Sequence, residues 1–487
     1  MRCRSFMRCL HSASIAISML SLGGCVGFSP DGGLAPAADV AAERLGKTIV
    51  KIGSDEDEAN AQARVAKLLG RPLTVDAAVE VALLRNKDLQ AAFNDLGVSE
   101  ARFVAASLPP EPQVSIERLA GEGDVEVVRQ IMISLYALAT LPERQEIATE
   151  RFRSAQWRAA GQVMTLARQV NRQYFMTVAA RNEAALLEKS VAAAQASAEL
   201  GKQLGEAGNL NKLEQAREDA FYTELGAKLA DARLTAQAER EKLTRLMGLW
   251  GQDISFRLAK DLPPLPKRIV TEHDVEATAL AERVDLKAAR HDLDALAGRL
   301  GLTRATRYVS DVSLAAGDDV EWAGPNGGSK LGTPPNSKLD RGSFTVNFTI
   351  PIYDFGESKV RDARATYLAA ANRLAQRAID VRSQAREAYM RARGKYDLAR
   401  YYAERVLPLR QTILDQSSLQ YNGMLVDIPQ LIIDARDRIA SSINALNARR
   451  DFFIAEAELK AALVGNGPDA APQSEGAPVP AVADAAN

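Results

Sequence analysis

The sequence predicts a mainly α fold with a small β part, internally duplicated and dominated by long α-helical hairpins. Three observations predict it. Arg71–Leu96 aligns without a gap to Arg268–Leu293, with 10 of 26 positions identical at an offset of 197 residues. After each copy, two strand-like segments precede a helical pattern of about 60 residues, far beyond the usual length of a globular helix. Each long pattern is broken once by turn-forming residues, at Gly208-Asn209 and at Tyr421-Asn422-Gly423.

Along the chain, Arg2, Arg4 and Arg8 precede a short apolar core, Ser14–Leu22, which ends in Leu22-Gly23-Gly24-Cys25. The core is too short to span a bilayer and has the layout of a cleaved signal. Its end resembles a bacterial lipobox, so residues 1–24 read as a lipoprotein signal peptide and Cys25 as the lipid-bearing residue, with Val26 favouring the outer membrane. Cys3 and Cys9 leave with the signal, which excludes an internal disulfide or a thiolate metal site. Residues 25–70 read as an extended or weakly helical lead-in containing the acidic patch Asp55–Glu58.

The first repeat spans 71–262 and the second 268–465, joined by a Pro-rich linker at 263–267. Thr74 and Thr271 stand before apolar-periodic runs, as N-caps do. A second helix begins near Asp88 or Asp285. The β-hairpins are expected at about 113–135 and 309–352, and the long α-hairpins at about 143–249 and 357–464. In the second long helix, Tyr389, Ala392, Tyr396, Ala399, Ala403 and Val406 form a heptad seam. Pro408 should interrupt that helix, because proline lacks the N–H and crowds the preceding turn. The Ala- and Pro-rich tail, 466–487, is expected to be disordered.

The clearest strand pattern is the last. Phe344, Val346, Phe348, Ile350 and Ile352 alternate with Ser343, Thr345, Asn347, Thr349 and Pro351, giving one apolar and one polar face. Four strands per chain cannot close a membrane barrel, which needs about eight. An open edge is not tolerated in lipid. Either the strands belong to a soluble sheet, or several chains share one barrel; three chains would give a 12-stranded barrel whose apolar face meets lipid.

The chain resembles the TolC-like outer-membrane efflux family. The residues that carry the resemblance are the paired openings Asp88-Leu89 and Asp285-Leu286, the run Phe348-Thr349-Ile350-Pro351-Ile352-Tyr353-Asp354-Phe355-Gly356, and Tyr421-Asn422-Gly423 continuing to Asp434-Ala435-Arg436. The resemblance covers about 73–465. It implies a homotrimer with a shared 12-stranded transmembrane β-barrel and a periplasmic α-barrel. It also implies docking to a periplasmic adaptor and an inner-membrane pump, and passive export of small molecules or ions without chemistry of its own. The alternative is a periplasmic coiled-coil lipoprotein scaffold without a pore.

Family members often place an acidic constriction residue six positions after the turn glycine. Here that position is Pro429, which leaves Asp427 and Asp434 as periplasmic aperture candidates. Gly208, Asn209, Asn422 and Gly423, at the turns, are the candidates for adaptor contact. In the first repeat, Tyr136–Pro142 replaces the Asp-aromatic-Gly run, so its turn into the long helix must differ.

Other classes are disfavoured. With 61 basic against 62 acidic residues and no basic stripe, nucleic acid is not an expected partner. No phosphate loop, nucleophile elbow or convergent acid–base set occurs, so neither an enzyme nor a cofactor is expected. His273 and His291, the mature histidines, lie 18 residues apart without cysteine partners and read as exposed helix positions rather than metal ligands.

Overall fold

The computed structural model describes residues 27–121, 124–267, 274–325, 334–423, 425–426 and 428–467. The signal segment, Cys25, Thr271, His273, Asp427 and the tail beyond Gly467 lie outside the described residues. The principal elements run α1 (Asp55–Leu69), α2 (Val75–Arg85), α3 (Lys87–Ser107), β1 (Gln113–Gly121), β2 (Asp124–Ser134), α4 (Leu141–Glu206) and α5 (Lys212–Leu246). They continue as α6 (Val275–Glu282), α7 (Val284–Ala305), β3 (Asp311–Trp322), β4 (Lys338–Thr349), α8 (Glu357–Tyr401), α9 (Leu407–Asn422) and α10 (Ile428–Val464). Two helices, two strands and a long helical hairpin thus occur twice. The chain divides into two compact units. One holds residues 27–33, Asp95–Gln156 and Ala288–Ala375, including the strands. The other holds Leu34–Asn94, Trp157–Lys287 and 376–467, including most of both α-hairpins.

The lead-in is more ordered than its composition suggests. Ser54 and Asp57 form a capping box at the start of α1, with Asp57 N–H donating to Ser54 Oγ at 3.2 Å and Ser54 N–H to Asp57 Oδ2 at 3.0 Å. The acidic patch Asp55–Glu58 occupies the first turn, where the helix dipole favours negative charge.

The duplication is visible in the backbone. α2 breaks from α3 at Asn86 (ψ 118°), and α6 breaks from α7 at Arg283 (ψ 124°), the equivalent repeat position. Thr74 caps α2 by accepting from Ala77 N–H at 3.2 Å, whereas α6 starts after Asp274 in a left-handed conformation (φ 67°). In the first copy Asn86 Oδ1 accepts the Leu89 N–H at 2.9 Å and its amide donates to the Leu246 carbonyl at 2.9 Å. In the second copy a buried Arg283 forks onto Asp285 at 3.0 and 2.6 Å, and Asp285 accepts the Leu286 N–H at 2.9 Å. Asp88, identical in sequence to Asp285, is exposed. The apolar identities hold the core in both copies: Ala82, Ala279, Leu89 and Leu286 are all buried.

The long helices are held by tertiary packing, which is where most helix stability resides. In the hairpin unit, Phe175 of α4 stacks on Phe453 of α10 at 5.0 Å, and Tyr396 of α8 meets the edge of Phe452 at 5.4 Å. The Tyr396 hydroxyl donates to the Pro266 carbonyl at 2.8 Å, and Arg449 Nε donates to the Pro263 carbonyl at 2.7 Å. The linker's prolines offer no N–H, so its carbonyls are satisfied by side chains.

The seam on α8 is buried at Val381, Ala385, Ala392, Tyr396 and Ala399 but ends there; Ala403 is exposed. The cause is a π-helical turn at Tyr402–Val406, directly before Pro408 near the start of α9. The wider turn relieves the clash between the proline ring and the preceding turn, and its extra residue rotates the following face.

Replacing Phe452 with Ala should cost about 3–5 kcal/mol, the range for large-to-small changes at a buried aromatic. A lowered thermal unfolding midpoint reads this out, with Leu398→Ala, on the exposed side of α8, as the control that leaves it nearly unchanged.

Candidate functional site: sheet faces and hairpin tips

The strands form one antiparallel sheet in the order β1-β2-β3-β4. Consecutive pairs Val114↔Ile131, Ile131↔Ala316 and Ala316↔Phe344 set the register. Because side chains alternate across the pleat, one face carries Val114, Ile131, Ile133, Leu314, Phe344, Val346 and Phe348. The five residues predicted to face lipid, Phe344, Val346, Phe348, Ile350 and Ile352, are all exposed, between 39% and 71%. From Phe344 to Phe348 this face runs about 13 Å at about 3.3 Å per residue; Ile350 and Ile352, expected on the same strand, lie beyond the end of β4 in the turn that follows it. Tyr308 and Tyr353, both exposed, border it at the helix end of the sheet, while exposed Trp322 lies three rows past Phe344, beyond two rows that carry charge. Charge on this face begins one row past Phe344, where Arg129 pairs with Asp318 across the strands. An exposed apolar face bordered by aromatic residues is the pattern of a lipid-facing barrel strand.

The opposite face is polar and acidic. The row Glu117–Val128–Asp319–Arg341 adjoins the row Leu119–Glu126–Glu321–Leu339. Arg341 pairs with Glu321 at 2.7 Å and with Asp319 at 3.3 Å. Both strands of the second hairpin extend further toward their loop than the alternation predicts. Those extensions carry Asp318, Asp319, Glu321, Lys338, Asp340 and Arg341, so no hydrophobic alternation marks them. β4 ends at Thr349, just before the Ile350-Pro351 pair where a ladder N–H is lost.

Asp354 then caps α8. It accepts the Gly356 N–H at 2.9 Å and the Ser358 N–H at 3.1 Å, and bonds the Ser358 hydroxyl. The Ser358 hydroxyl and these two amides hold its carboxyl below the usual range. Gly356 has φ 72°, and a Cβ there would lie 2.3 Å from the Arg307 carbonyl oxygen, so glycine is required on both counts. In the first repeat Ser134 plays the capping part, accepting from Ala137 N–H at 3.1 Å ahead of a short helical turn, Leu135–Ala139.

At the first hairpin tip, Gly208 (φ 77°) donates to the Gly205 carbonyl at 3.0 Å and Asn209 N–H to the Leu204 carbonyl at 2.8 Å. These are the paired bonds of a Schellman cap. Gly208, Asn209, Asn422 and Gly423 are all exposed. Gly423 has φ −85°, so the second turn does not draw on left-handed backbone there. The tips are joined within the unit: Phe221 and Leu225 of α5 share a buried cluster with Ile428 and Ile432 of α10, and Arg436 pairs with Glu224 at 3.1 Å.

The two aperture candidates separate. Asp427 is outside the described residues. Asp434 is buried, accepting from the Ser417 hydroxyl on α9 and from Gln430 Nε2 at 3.2 Å. Its carboxylate ties α10 to α9. One group escaped the sequence reading and another was misplaced by it. Glu218 on α5 is buried at 5% exposure, its Oε2 without a hydrogen-bond partner, and burial raises its carboxyl above the usual range despite a bond from Ser197. His291 is half-buried and lies 2.6 Å from Glu150, so it is not the exposed helix position expected of it. Nothing in the spacing of either residue marks it; each is defined by the helix packed against its own.

A four-stranded sheet with one apolar and one polar face, joined in sequence to two very long helical hairpins, is the fold of the TolC-type outer-membrane channels. Residues 277–463 match the family described as outer membrane efflux protein. A curated relative, the cobalt-zinc-cadmium resistance protein CzcC of Cupriavidus metallidurans, is 26% identical over 264 residues, 51% of this chain. The match spans 60% of that relative's length. Among solved structures the chain resembles CusC (TM-score 0.68, 16% identity, 80% of this chain and 92% of that one). It also resembles the outer-membrane channel OprN (0.68, 17%, 88% and 96%) and VceC of Vibrio cholerae (0.65, 15%, 80% and 96%).

The Glu218 environment predicts a pH dependence. A carboxyl raised in the fold above its unfolded value contributes stability that is present below the unfolded value and lost as pH rises through the folded one. The α4–α5 hairpin should therefore hold amide protons more firmly as pH falls into the carboxylate range. Glu218→Gln should remove that dependence and protect the hairpin at neutral pH, read by hydrogen exchange over residues 195–225.

Proposed function

We propose that this chain is the outer-membrane channel subunit of a tripartite efflux system. Three copies share a 12-stranded barrel, and their hairpins line a periplasmic passage. The observation that carries the reading is the sheet: an exposed apolar band bordered by Tyr308 and Tyr353 on one face, acid-rich polarity on the other, and, among the described residues, strands β1 and β4 each with one neighbour. Conduction is passive. Cys25 carries lipid at the outer membrane. The tips at Gly208-Asn209 and Asn422-Gly423 meet the periplasmic adaptor, which links the channel to an inner-membrane pump. Asp427 contributes the carboxylate ring of the aperture; Asp434 braces the second hairpin by tying α10 to α9.

The polar face also bears on cargo. Glu117, Glu126, Asp319 and Glu321 stand against Arg341 on that face, and a ring of excess carboxylates favours cations. This agrees with the metal-cation resistance named for the curated relative. We assign the passage a preference for cations over anions.

Purified full-length protein added to a planar bilayer under a KCl gradient should give steps of conductance whose reversal potential has the sign of cation selectivity. Glu117→Gln with Glu126→Gln should move that potential toward zero without abolishing conductance. Protein that binds the bilayer but never conducts would contradict the channel reading and favour a lipoprotein scaffold. Conductance with anion selectivity would overturn only the cargo assignment.

A further inference from the structure

We propose that Glu150, His291 and Asp294 form a binding site for a divalent transition-metal ion of the zinc type, cross-linking α4 and α7. His291 and Asp294 lie three residues apart on α7, so they share a helix face. Glu150 comes from α4, within the same compact unit, and its Oε2 is 2.6 Å from His291 Nδ1. One donor atom from each of the three lies within 4.8 Å of the other two. None of them belongs to the sheet faces or to the hairpin tips.

The donor set selects the ion class. One imidazole nitrogen and two carboxylate oxygens suit a borderline cation; calcium and magnesium prefer all-oxygen shells. Three protein ligands leave the fourth tetrahedral position to water. In such a site, donors sit roughly 3.3 Å apart, given bonds of about 2.0–2.2 Å. The His291–Glu150 contact must therefore open by under an ångström while Asp294 swings inward. Both adjustments are within side-chain rotation, since rigid helices fix the three Cα positions.

The surroundings support ligand roles. Arg153 Nη1 holds the other carboxylate oxygen of Glu150 at 2.5 Å, which fixes that carboxylate with Oε2 turned to the site, as outer-shell partners do. The His291 and Glu150 side chains are 26% and 16% exposed, while Asp294 is exposed and gives solvent access. Metal takes the place of the His291–Glu150 hydrogen bond. The site does not depend on the channel reading, because it concerns two helices outside the strands.

The test uses full-length protein, without a polyhistidine tag, dialysed against zinc chloride in detergent. We expect about one zinc ion per chain, and visible absorption of tetrahedral type when cobalt(II) is substituted. His291→Ala should abolish both. Asp294→Asn should weaken binding by about 10-fold or more. His273→Ala, which removes the other mature histidine, should leave binding intact. Unchanged far-ultraviolet circular dichroism would show that each variant is folded. Wild-type protein retaining no more zinc than His291→Ala would overturn the assignment. So would loss of zinc in His273→Ala, or unchanged affinity in Asp294→Asn.

Discussion

Backbone hydrogen bonding at the outer edges of β1 and β4 is the constraint on which the rest depends. Among the described residues, each of these strands has one neighbour within the chain. In water the free N–H and C=O groups would be solvated. Against lipid each unmet group costs several kcal/mol. The apolar band from Phe344 to Ile352 gives lipid contact a reason, and lipid contact then forbids free edges. If the band meets lipid as proposed, the two conditions are compatible only when other copies supply the missing strands. Oligomerisation follows from that requirement and needs no special subunit contact to motivate it.

The helical part answers a different problem. Helices as long as α4, with 66 residues, gain little from intrinsic propensity alone and rely on packing along their length. The chain supplies it in stages. Aromatic residues Phe175, Tyr396, Phe452 and Phe453 interlock α4, α8 and α10. A Pro-rich linker is pinned across the second hairpin. Near the tips the aliphatic cluster of Phe221, Leu225, Ile428 and Ile432 joins one hairpin to the other. The π turn before Pro408 divides α8 from α9 where the buried seam stops. The lower part of the second hairpin is thereby released from the heptad geometry of the upper part, and this asymmetry between the repeats sets the second hairpin apart.

Much of this was legible in sequence because its signals are periodic. The repeat alignment placed second helices near Asp88 and Asp285, and they begin at Lys87 and Val284; the alternation from Phe344 onward marked the second half of β4, Lys338–Thr349. The four strands and the hairpin turns follow from the same kinds of pattern. What was hidden has no period. The loop-side halves of β3 and β4 carry charge on both faces. The capping box at Ser54 sits in a segment with weak apolar patterning. Asp88 and Asp285 are identical in sequence, yet only Asp285 is drawn into a buried ion pair, because Arg283 stands where the first copy has Asn86. Asp434 and His291 were readable as residue types. Their partners, Ser417 and Glu150, lie 17 and 141 residues away and are set by helix packing. Cys25 and Asp427 belong to segments outside the described residues.

The central claim is that the β1 edge of one copy pairs with the β4 edge of the next. Cysteine cross-linking in outer membranes tests it most directly. Ser115→Cys on β1 would be combined in turn with cysteine at Ser343, Thr345, Asn347 or Thr349 on β4, all on the polar face. The account predicts that at least one pair oxidises to covalent trimers, while each single substitution does not. If every pair yields only monomers, or if cross-linking closes within one chain, the shared barrel is wrong.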